Sequence, residues 1–163
     1  MTAKQSRDFR ARRKAAGLCS DCSQPAREGK SRCQVCHDKC MERRQARIDS
    51  GQCVSCSNNS LPNHQKCKVC VVKAATYQAT GSRKNWEAVL GLFTGQCAVS
   101  GLPIEIGKNA HLDHRLPKST HPELIADLTN LQWVHRDVNY AKRNLHPQLF
   151  LELCKKVVDF NRL

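Results

Sequence analysis

Residues 19–36 read CSDCSQPAREGKSRCQVC, and residues 53–70 read CVSCSNNSLPNHQKCKVC. Each stretch contains two Cys-x-x-Cys pairs separated by ten residues, and the second stretch repeats the first at an offset of 34 positions. Four thiolates at this spacing are typical of a structural zinc site, in which each Zn–S distance is about 2.3 Å. The repeat therefore predicts two zinc ions. The predicted ligands of the first are Cys19, Cys22, Cys33 and Cys36, and those of the second are Cys53, Cys56, Cys67 and Cys70.

Each repeat is predicted to be a small four-cysteine zinc ribbon. Turn-forming residues such as Pro25 and Gly29 lie between the cysteine pairs, where a short hairpin would bring the two pairs together. Neither repeat has enough apolar residues to build a core, so we expect zinc binding to supply the folding free energy. A helix is expected after each ribbon, at about residues 37–49 and 71–80.

The positive charge is concentrated in the front half of the chain. The 163 residues carry a net charge of +13, and residues 1–85 hold 18 Lys and Arg against 6 Asp and Glu. Such a surface suits a polyanion, because each neutralised phosphate releases condensed counterions. A solvated basic face is the alternative. The front-half residues predicted to contact DNA are Arg10, Arg12, Arg13, Lys14, Arg43, Arg44 and Arg47.

The N-terminal sequence favours a reducing compartment. Residues 1–14 are basic and polar, without the apolar stretch of a secretory signal, and no apolar run is long enough to cross a membrane. We therefore expect a cytoplasmic or nucleoid-associated protein whose cysteines bind zinc rather than form disulfides.

The second half contains a different pattern. Residues 110–145 read AHLDHRLPKSTHPELIADLTNLQWVHRDVNYAKRNL. Asp113 and His114 end a predicted strand, and a polar loop leads to Asn130. A second predicted strand follows, in which Leu131 and Trp133 alternate with polar neighbours as in a half-buried strand. Asn139 follows Asn130 by nine positions, on a predicted helix at about 135–144. Across about 95–145 this pattern resembles the HNH endonuclease family.

The resemblance implies a ββα-metal fold that binds one Mg²⁺ or Mn²⁺ ion. It implies that His114 is the general base, that Asp113 and Asn139 are the metal ligands, and that Asn130 orients the loop and the base. Physical chemistry agrees, because a neutral imidazole can accept the proton of a water, and carboxylate and amide oxygens suit a hard cation. Adjacent strand residues point to opposite faces, so Asp113 and His114 can share a phosphate only where the strand ends. Lys142 and Arg143, behind Asn139, are expected to hold DNA phosphates.

Expectations also follow for a possible third metal site, for His111 and for the C-terminal tail. Many relatives have an additional four-cysteine zinc site, whose positions here include Cys97 and His135 but also Ser100 and Val138. We expect that packing has replaced zinc there, although Cys97 and His135 could still bind a metal. His111 is expected to be exposed, with a role as an alternative ligand left open. The tail is predicted to be a packing helix, with Pro147 in its first turn and Leu149, Leu153 and Val157 on one face.

The predicted architecture is a small α+β protein. It comprises a basic arm (1–16), two tandem zinc ribbons (17–50 and 51–80), and a ββα-metal nuclease domain with a C-terminal helix (86–163). The predicted function is metal-dependent hydrolysis of DNA phosphodiester bonds, with double-stranded DNA as the expected partner, as in homing, phage or restriction nucleases. The resemblance implies products that end in 5′-phosphate and 3′-hydroxyl. One active site would nick, so cutting both strands would need a homodimer or two events. The alternatives are a non-catalytic zinc-dependent nucleic-acid-binding protein and an adaptor whose ribbons bind protein.

Overall fold

A computed structural model describes residues 2–161 and contains six α-helices and one two-stranded antiparallel sheet. The elements are α1 (Ala3–Ala15), α2 (Gln34–Asp49), α3 (Lys68–Thr80), α4 (Trp86–Gly91), β1 (Ala110–His114), β2 (Leu131–His135), α5 (Arg136–Lys142) and α6 (Pro147–Asn161). Two 3-10 turns, Pro122–Leu124 and Leu128–Asn130, lie between the strands. The predicted α+β class is confirmed.

The N-terminal arm is helical, which the sequence analysis did not predict. Thr2 and Gln5 form a capping box at the start of α1, and three basic residues in the last turn complement the helix dipole. Most of the helix is exposed, so capping and end charges are its main visible support.

The helices after the zinc ribbons begin about three residues earlier than expected. The second cysteine pair of each repeat lies at the helix start, with Cys33 and Cys67 as the N-caps of α2 and α3. The Cys33 Sγ accepts a hydrogen bond from the backbone N–H of Cys36. A thiol at an N-cap is unusual, because serine, threonine and aspartate are preferred there. Zinc ligation gives these cysteines a reason to occupy the position.

The core lies between α3, α4 and the sheet. Trp133 on β2 is 2% exposed and donates from its indole nitrogen to the Val89 carbonyl at 2.9 Å. Phe93 packs edge-on against the same indole at a centroid distance of 5.6 Å. Val72, from α3, belongs to this cluster and is fully buried.

The two zinc modules, which we define as residues 17–50 and 51–80, differ in how they are attached to this core. Val72, Thr76 and Ala79 of α3 are buried, whereas α2 has no buried residue. The repeat offset of 34 places Asp38, Glu42 and Gln45 of α2 at the equivalent positions. Module 2 and the segment after it therefore share one core, although Gly81 ends α3 at the expected boundary.

Both faces of β2 are covered. Leu131, Gln132, Trp133 and Val134 are all buried, whereas the sequence suggested a half-buried strand. The difference arises because α5 follows β2 directly and packs on both strands, while the core covers the opposite face. β1 pairs with β2 so that Asp113 lies opposite Gln132.

Each zinc module contains a knuckle, a short turn that is closed by one β-bridge around the first cysteine pair. Residues 96–103, before β1, form a third knuckle of this kind. The bridge between Gln96 and Pro103 corresponds to Leu18–Pro25 in module 1 and Gln52–Asn59 in module 2. Cys97 is 3% exposed and packs in the core. Within residues 2–161, the two cysteine tetrads are the only groups of three or more His, Cys, Asp or Glu residues whose ligand atoms all lie within 4.8 Å of one another.

The C-terminal helix forms as predicted and begins at Pro147, but it is not a packing helix within the described chain. Phe150 is its one buried residue, and Leu149, Leu153 and Val157 are exposed. None of the helices between residues 2 and 161 has the length and apolar character needed to cross a membrane.

Candidate active site

The two cysteine tetrads have the geometry that zinc requires. In each tetrad the ligand atoms all lie within 4.8 Å of one another. The Sγ atoms of Cys22 and Cys33 are 3.5 Å apart, as are those of Cys56 and Cys67. A tetrahedral zinc–thiolate centre has S···S distances of about 3.8 Å. All eight predicted cysteines are thus brought together, and the two groups could hold two zinc ions.

Backbone hydrogen bonds favour the thiolate form of one buried cysteine in each tetrad. Burial raises the pKa of Cys19, but backbone hydrogen bonds from Cys33 and Asp21 more than offset it and lower the pKa to about 6. Burial likewise raises the pKa of Cys53, and backbone hydrogen bonds from Cys67 and Ser55 outweigh it to give about 6. The thiolate is the form that binds zinc.

Two of the arginines predicted to contact DNA lie close to backbone carbonyls of the zinc modules. Arg13 is half-buried and donates to the Cys19 carbonyl at 2.8 Å and to the Cys22 carbonyl. Arg47, its equivalent in the repeat, lies 3.4 Å from the Val54 carbonyl. Their positive charge also lies close to a site that would carry negative thiolates. The other predicted DNA contacts outside the α5 region are exposed: Arg10, Arg12, Lys14, Arg43 and Arg44.

A groove of about 490 Å³ contains three of the four residues predicted from the HNH pattern. Asp113 and His114 are the last two residues of β1, and they line this groove together with Asn139 of α5. Asp113 faces the side of the sheet covered by α5, and His114 faces the other side. The strand ends here, and both residues border the same groove, together with the other residues of β1.

His114 is held by one of its ring nitrogens. Its Nε2 lies 3.1 Å from the Ile125 carbonyl oxygen, which can only accept, so Nε2 carries the proton of the neutral ring. Nδ1 then bears the lone pair. No hydrogen-bond partner of Nδ1 is seen within residues 2–161. Nδ1 is not among the fully buried unpartnered atoms of these residues, so it retains some exposure to solvent.

Asn130 does not line the groove but fixes the loop that follows His114. Its side-chain oxygen accepts from the Leu116 N–H at 2.8 Å, and its amide nitrogen donates to the Leu116 carbonyl at 3.2 Å. The Arg115 N–H also donates to the Asn130 carbonyl at 2.7 Å. These three bonds agree with the loop-orienting role inferred from the resemblance.

Lys142 is buried in the site, which corrects the expectation that it holds a DNA phosphate from the surface. It is 2% exposed, and its ammonium lies 3.0 Å from Asp113 Oδ2 and 3.1 Å from the His114 carbonyl. The helix is also shorter than predicted: it ends at Lys142, and Arg143 has a φ of 47°. Arg143 is exposed and so stays available to a ligand.

His111 lies beside Asn139 rather than on an open surface. Its Nδ1 is 3.3 Å from the Asn139 amide nitrogen, and its ring packs edge-on against Tyr140. Burial, and then the charge of Arg136, lower the pKa of His111 below 6.5. If the Asn139 nitrogen donates to His111, the Asn139 oxygen points its lone pairs elsewhere, as a metal ligand requires.

The far wall of the groove comes from module 2, which the sequence analysis did not connect with the site. His64 and Lys66 lie in the turn between its cysteine pairs, and Ala74, Ala75 and other α3 residues complete the wall. Lys118 adds a second lysine beyond Pro117. The apolar positions of α3, absent from α2, were the available signal that module 2 docks here.

Comparisons of this chain with protein-family models, with curated proteins and with solved structures found no match.

Proposed function

We propose that this protein is a metal-dependent DNA endonuclease of the HNH type, with two structural zinc ions. The proposal combines the resemblance of residues 95–145 to that family with the geometry of the groove. It makes the basic front half a DNA-binding surface and the groove the place of phosphodiester hydrolysis.

The observation that carries the proposal is the convergence of Asp113, His114 and Asn139 on one groove. They come from the end of a strand and from a helix 25 residues later in the chain. A carboxylate, an amide and an imidazole held by a carbonyl are the groups that metal-assisted hydrolysis needs. A surface histidine without a function would be solvated, whereas His114 is 5% exposed and is hydrogen-bonded through Nε2.

His114 would act as the general base. Its Nδ1 would accept the proton of a water molecule as the water oxygen attacks phosphorus and the bond to the leaving oxygen breaks. The Ile125 carbonyl holds Nε2–H and would stabilise the imidazolium that forms. Asn130 keeps the loop, and hence this carbonyl, in place through its bonds to Leu116.

Asp113 and Asn139 have the donor chemistry for Mg²⁺ or Mn²⁺. The contacts of Asp113 with Lys142 and Gln132 both fall on Oδ2, and Oδ1 has no hydrogen-bond partner among residues 2–161. A bound divalent cation would supply positive charge where negative charge develops on the phosphate oxygens. Lys142 holds Asp113 and the His114 backbone together, so it would position both residues.

The direct test is cleavage of supercoiled plasmid by zinc-loaded protein with and without added Mg²⁺ or Mn²⁺. Omitting the divalent cation is a better control than EDTA, because EDTA would also remove zinc. We expect nicking or linearisation that requires the cation and is lost in His114→Gln. His121→Ala is the matched control, since His121 lies in the following loop and does not line the groove. A wild-type protein that binds but never cuts many DNA sequences would refute the catalytic assignment.

One observation favours the second candidate, a non-catalytic zinc-dependent DNA-binding protein. The Lys142 ammonium already neutralises Asp113, which would weaken the attraction of that carboxylate for a cation. The same plasmid experiment separates the two candidates, because the binding protein would retain salt-sensitive affinity without cleavage.

A further inference from the structure

We infer that module 2 carries a phosphate-binding subsite of the groove, formed by His64 and Lys66, while module 1 has no part in it. This inference rests on the proposed function for its substrate, one strand of DNA. The two modules have the same cysteine spacing, but this inference assigns them different roles.

Module 2 is docked where its turn can reach the groove. Gly107 lies against this turn, and a Cβ at position 107 would be 2.7 Å from Leu61 Cδ1 and 3.6 Å from the His64 ring. The repeat places Arg27 of module 1 at the position of Leu61. An apolar side chain in place of an arginine allows the turn of module 2 to pack on the segment before β1.

His64 presents a hydrogen-bond donor. Its Nδ1 lies 2.9 Å from the Lys66 backbone nitrogen and 3.2 Å from the Lys66 carbonyl oxygen. We assign the shorter contact as the hydrogen bond, in which Nδ1 accepts from the Lys66 N–H, and this leaves the proton of the neutral ring on Nε2. The same bond fixes the imidazole relative to Lys66. The ring lines the groove that contains Asp113 and His114, where an N–H can meet a phosphate oxygen.

Lys66 has no acidic partner in the described chain. Its equivalent in module 1, Arg32, pairs with Asp21 at 2.6 Å. The repeat puts Ser55 at the position of Asp21, and Lys66 makes no salt bridge within residues 2–161. The positive charge of Lys66 is therefore not used within the fold.

The groove as a whole favours an anion. Asp113 is its one acidic lining residue, and that charge is balanced by Lys142. Lys66 and Lys118 then leave the groove positive, and the small alanines of α3 leave space along one wall. A phosphodiester backbone fits this chemistry, since lysine and N–H donors are common partners of phosphate oxygens.

The test compares Lys66→Ala with Lys30→Ala. Lys30 lies in module 1, at the position that the repeat makes equivalent to His64. Each variant loses one positive charge, so both should lose a similar part of nonspecific DNA affinity. We expect the single-turnover cleavage rate at saturating protein to fall about tenfold or more in Lys66→Ala, because a hydrogen bond to a charged group near the reacting phosphate is lost. The rate of Lys30→Ala should match wild type. Equal rates in both variants, with wild type active, would overturn the subsite and leave the proposed function intact.

A second readout does not depend on cleavage. Zinc-loaded protein without added divalent cation is titrated with a short DNA duplex, and the imidazole resonances of His64 are followed by NMR. We expect them to shift with the binding curve, while those of His146, outside the groove, stay unchanged. Shifts in this titration, together with no cleavage of plasmid when Mg²⁺ or Mn²⁺ is added, would keep the subsite and refute the nuclease. Bound DNA that leaves His64 unshifted would overturn the subsite.

Discussion

Replacing Lys142 by methionine tests whether this lysine belongs to the site or to a DNA-binding surface. Methionine keeps most of the length of the side chain but removes the ammonium that joins Asp113 to the His114 carbonyl. If Lys142 were a surface contact, the change would alter the free energy of unfolding by less than about 0.5 kcal/mol and would reduce the salt dependence of DNA binding by about one counterion.

The structure predicts a much larger loss of stability. Lys142 is 2% exposed, and the Asp113 side chain is 13% exposed. Removing one partner of a buried ion pair typically costs about 3–5 kcal/mol, because the other charge stays buried without compensation. Asp113 keeps the Gln132 amide at 3.3 Å and some contact with solvent, so we expect the lower end, about 3 kcal/mol.

A double-mutant cycle with Asp113→Asn isolates the pair. Each single change leaves one buried charge unpaired, whereas the double variant has neither charge, so it should be more stable than the sum of the single losses predicts. Urea unfolding at constant zinc concentration, followed by tryptophan fluorescence, measures these free energies because Trp133 is buried in the core. The coupling should be at least about 1 kcal/mol.

The reasoning would fail if Lys142→Met unfolded with a loss below about 1 kcal/mol and the cycle showed no coupling. That result would mean that the ammonium does not lie between Asp113 and the His114 backbone in solution. Lys155→Met, on the exposed part of α6, is the control for removing a lysine charge, and it should leave stability nearly unchanged.

Two further predictions concern the zinc modules and their attachment. Cys56→Ser should lower both the zinc content and the melting temperature of the core, because module 2 shares that core. Cys22→Ser should remove one zinc ion and leave the main unfolding transition nearly unchanged. Calorimetry measures the transition, and native mass spectrometry measures the zinc content. Gly107→Ala should cost about 1–2 kcal/mol in urea unfolding, because the φ of 87° is unfavourable for alanine and the new Cβ meets Leu61. Gly91→Ala, in a helix with open space around the position, should not destabilise the protein. An equal effect of the two cysteine changes, or of the two glycine changes, would contradict the docking of module 2.

The zinc ligands and the strand–strand–helix order were predictable because they depend on local patterns. Ligand spacing identifies the cysteine tetrads with little help from the rest of the chain, and the alternation around Trp133 indicates a strand. The end of the first strand at His114 was expected from the polar loop that follows it and from the resemblance to the HNH pattern. Each of these inferences uses residues close together in sequence.

The features that were missed depend on contacts between distant residues. Lys142 lies on a helix rich in polar residues, where a lysine is normally solvated, and its partner Asp113 is 29 positions earlier. The shared core of module 2 was visible in the repeat itself, since Val72 and Ala79 replace Asp38 and Gln45. The apolar side of α6 predicted packing, and only the structure shows that this side has no partner within residues 2–161.

The three knuckles form a series in which contact with the apolar core increases, and the third knuckle no longer has four cysteines. Module 1 has four cysteines and a helix with no buried residue. Module 2 has four cysteines and a helix that enters the core. The third knuckle keeps the same backbone bridge but has Ser100 at a ligand position, and its Cys97 packs with Ile104 and Trp133. A short knuckle cannot repay its conformational entropy without either zinc or buried apolar area. Where a core supplies that area, the chain can lose ligands and keep the fold, and the third knuckle, next to β1, has such a core beside it.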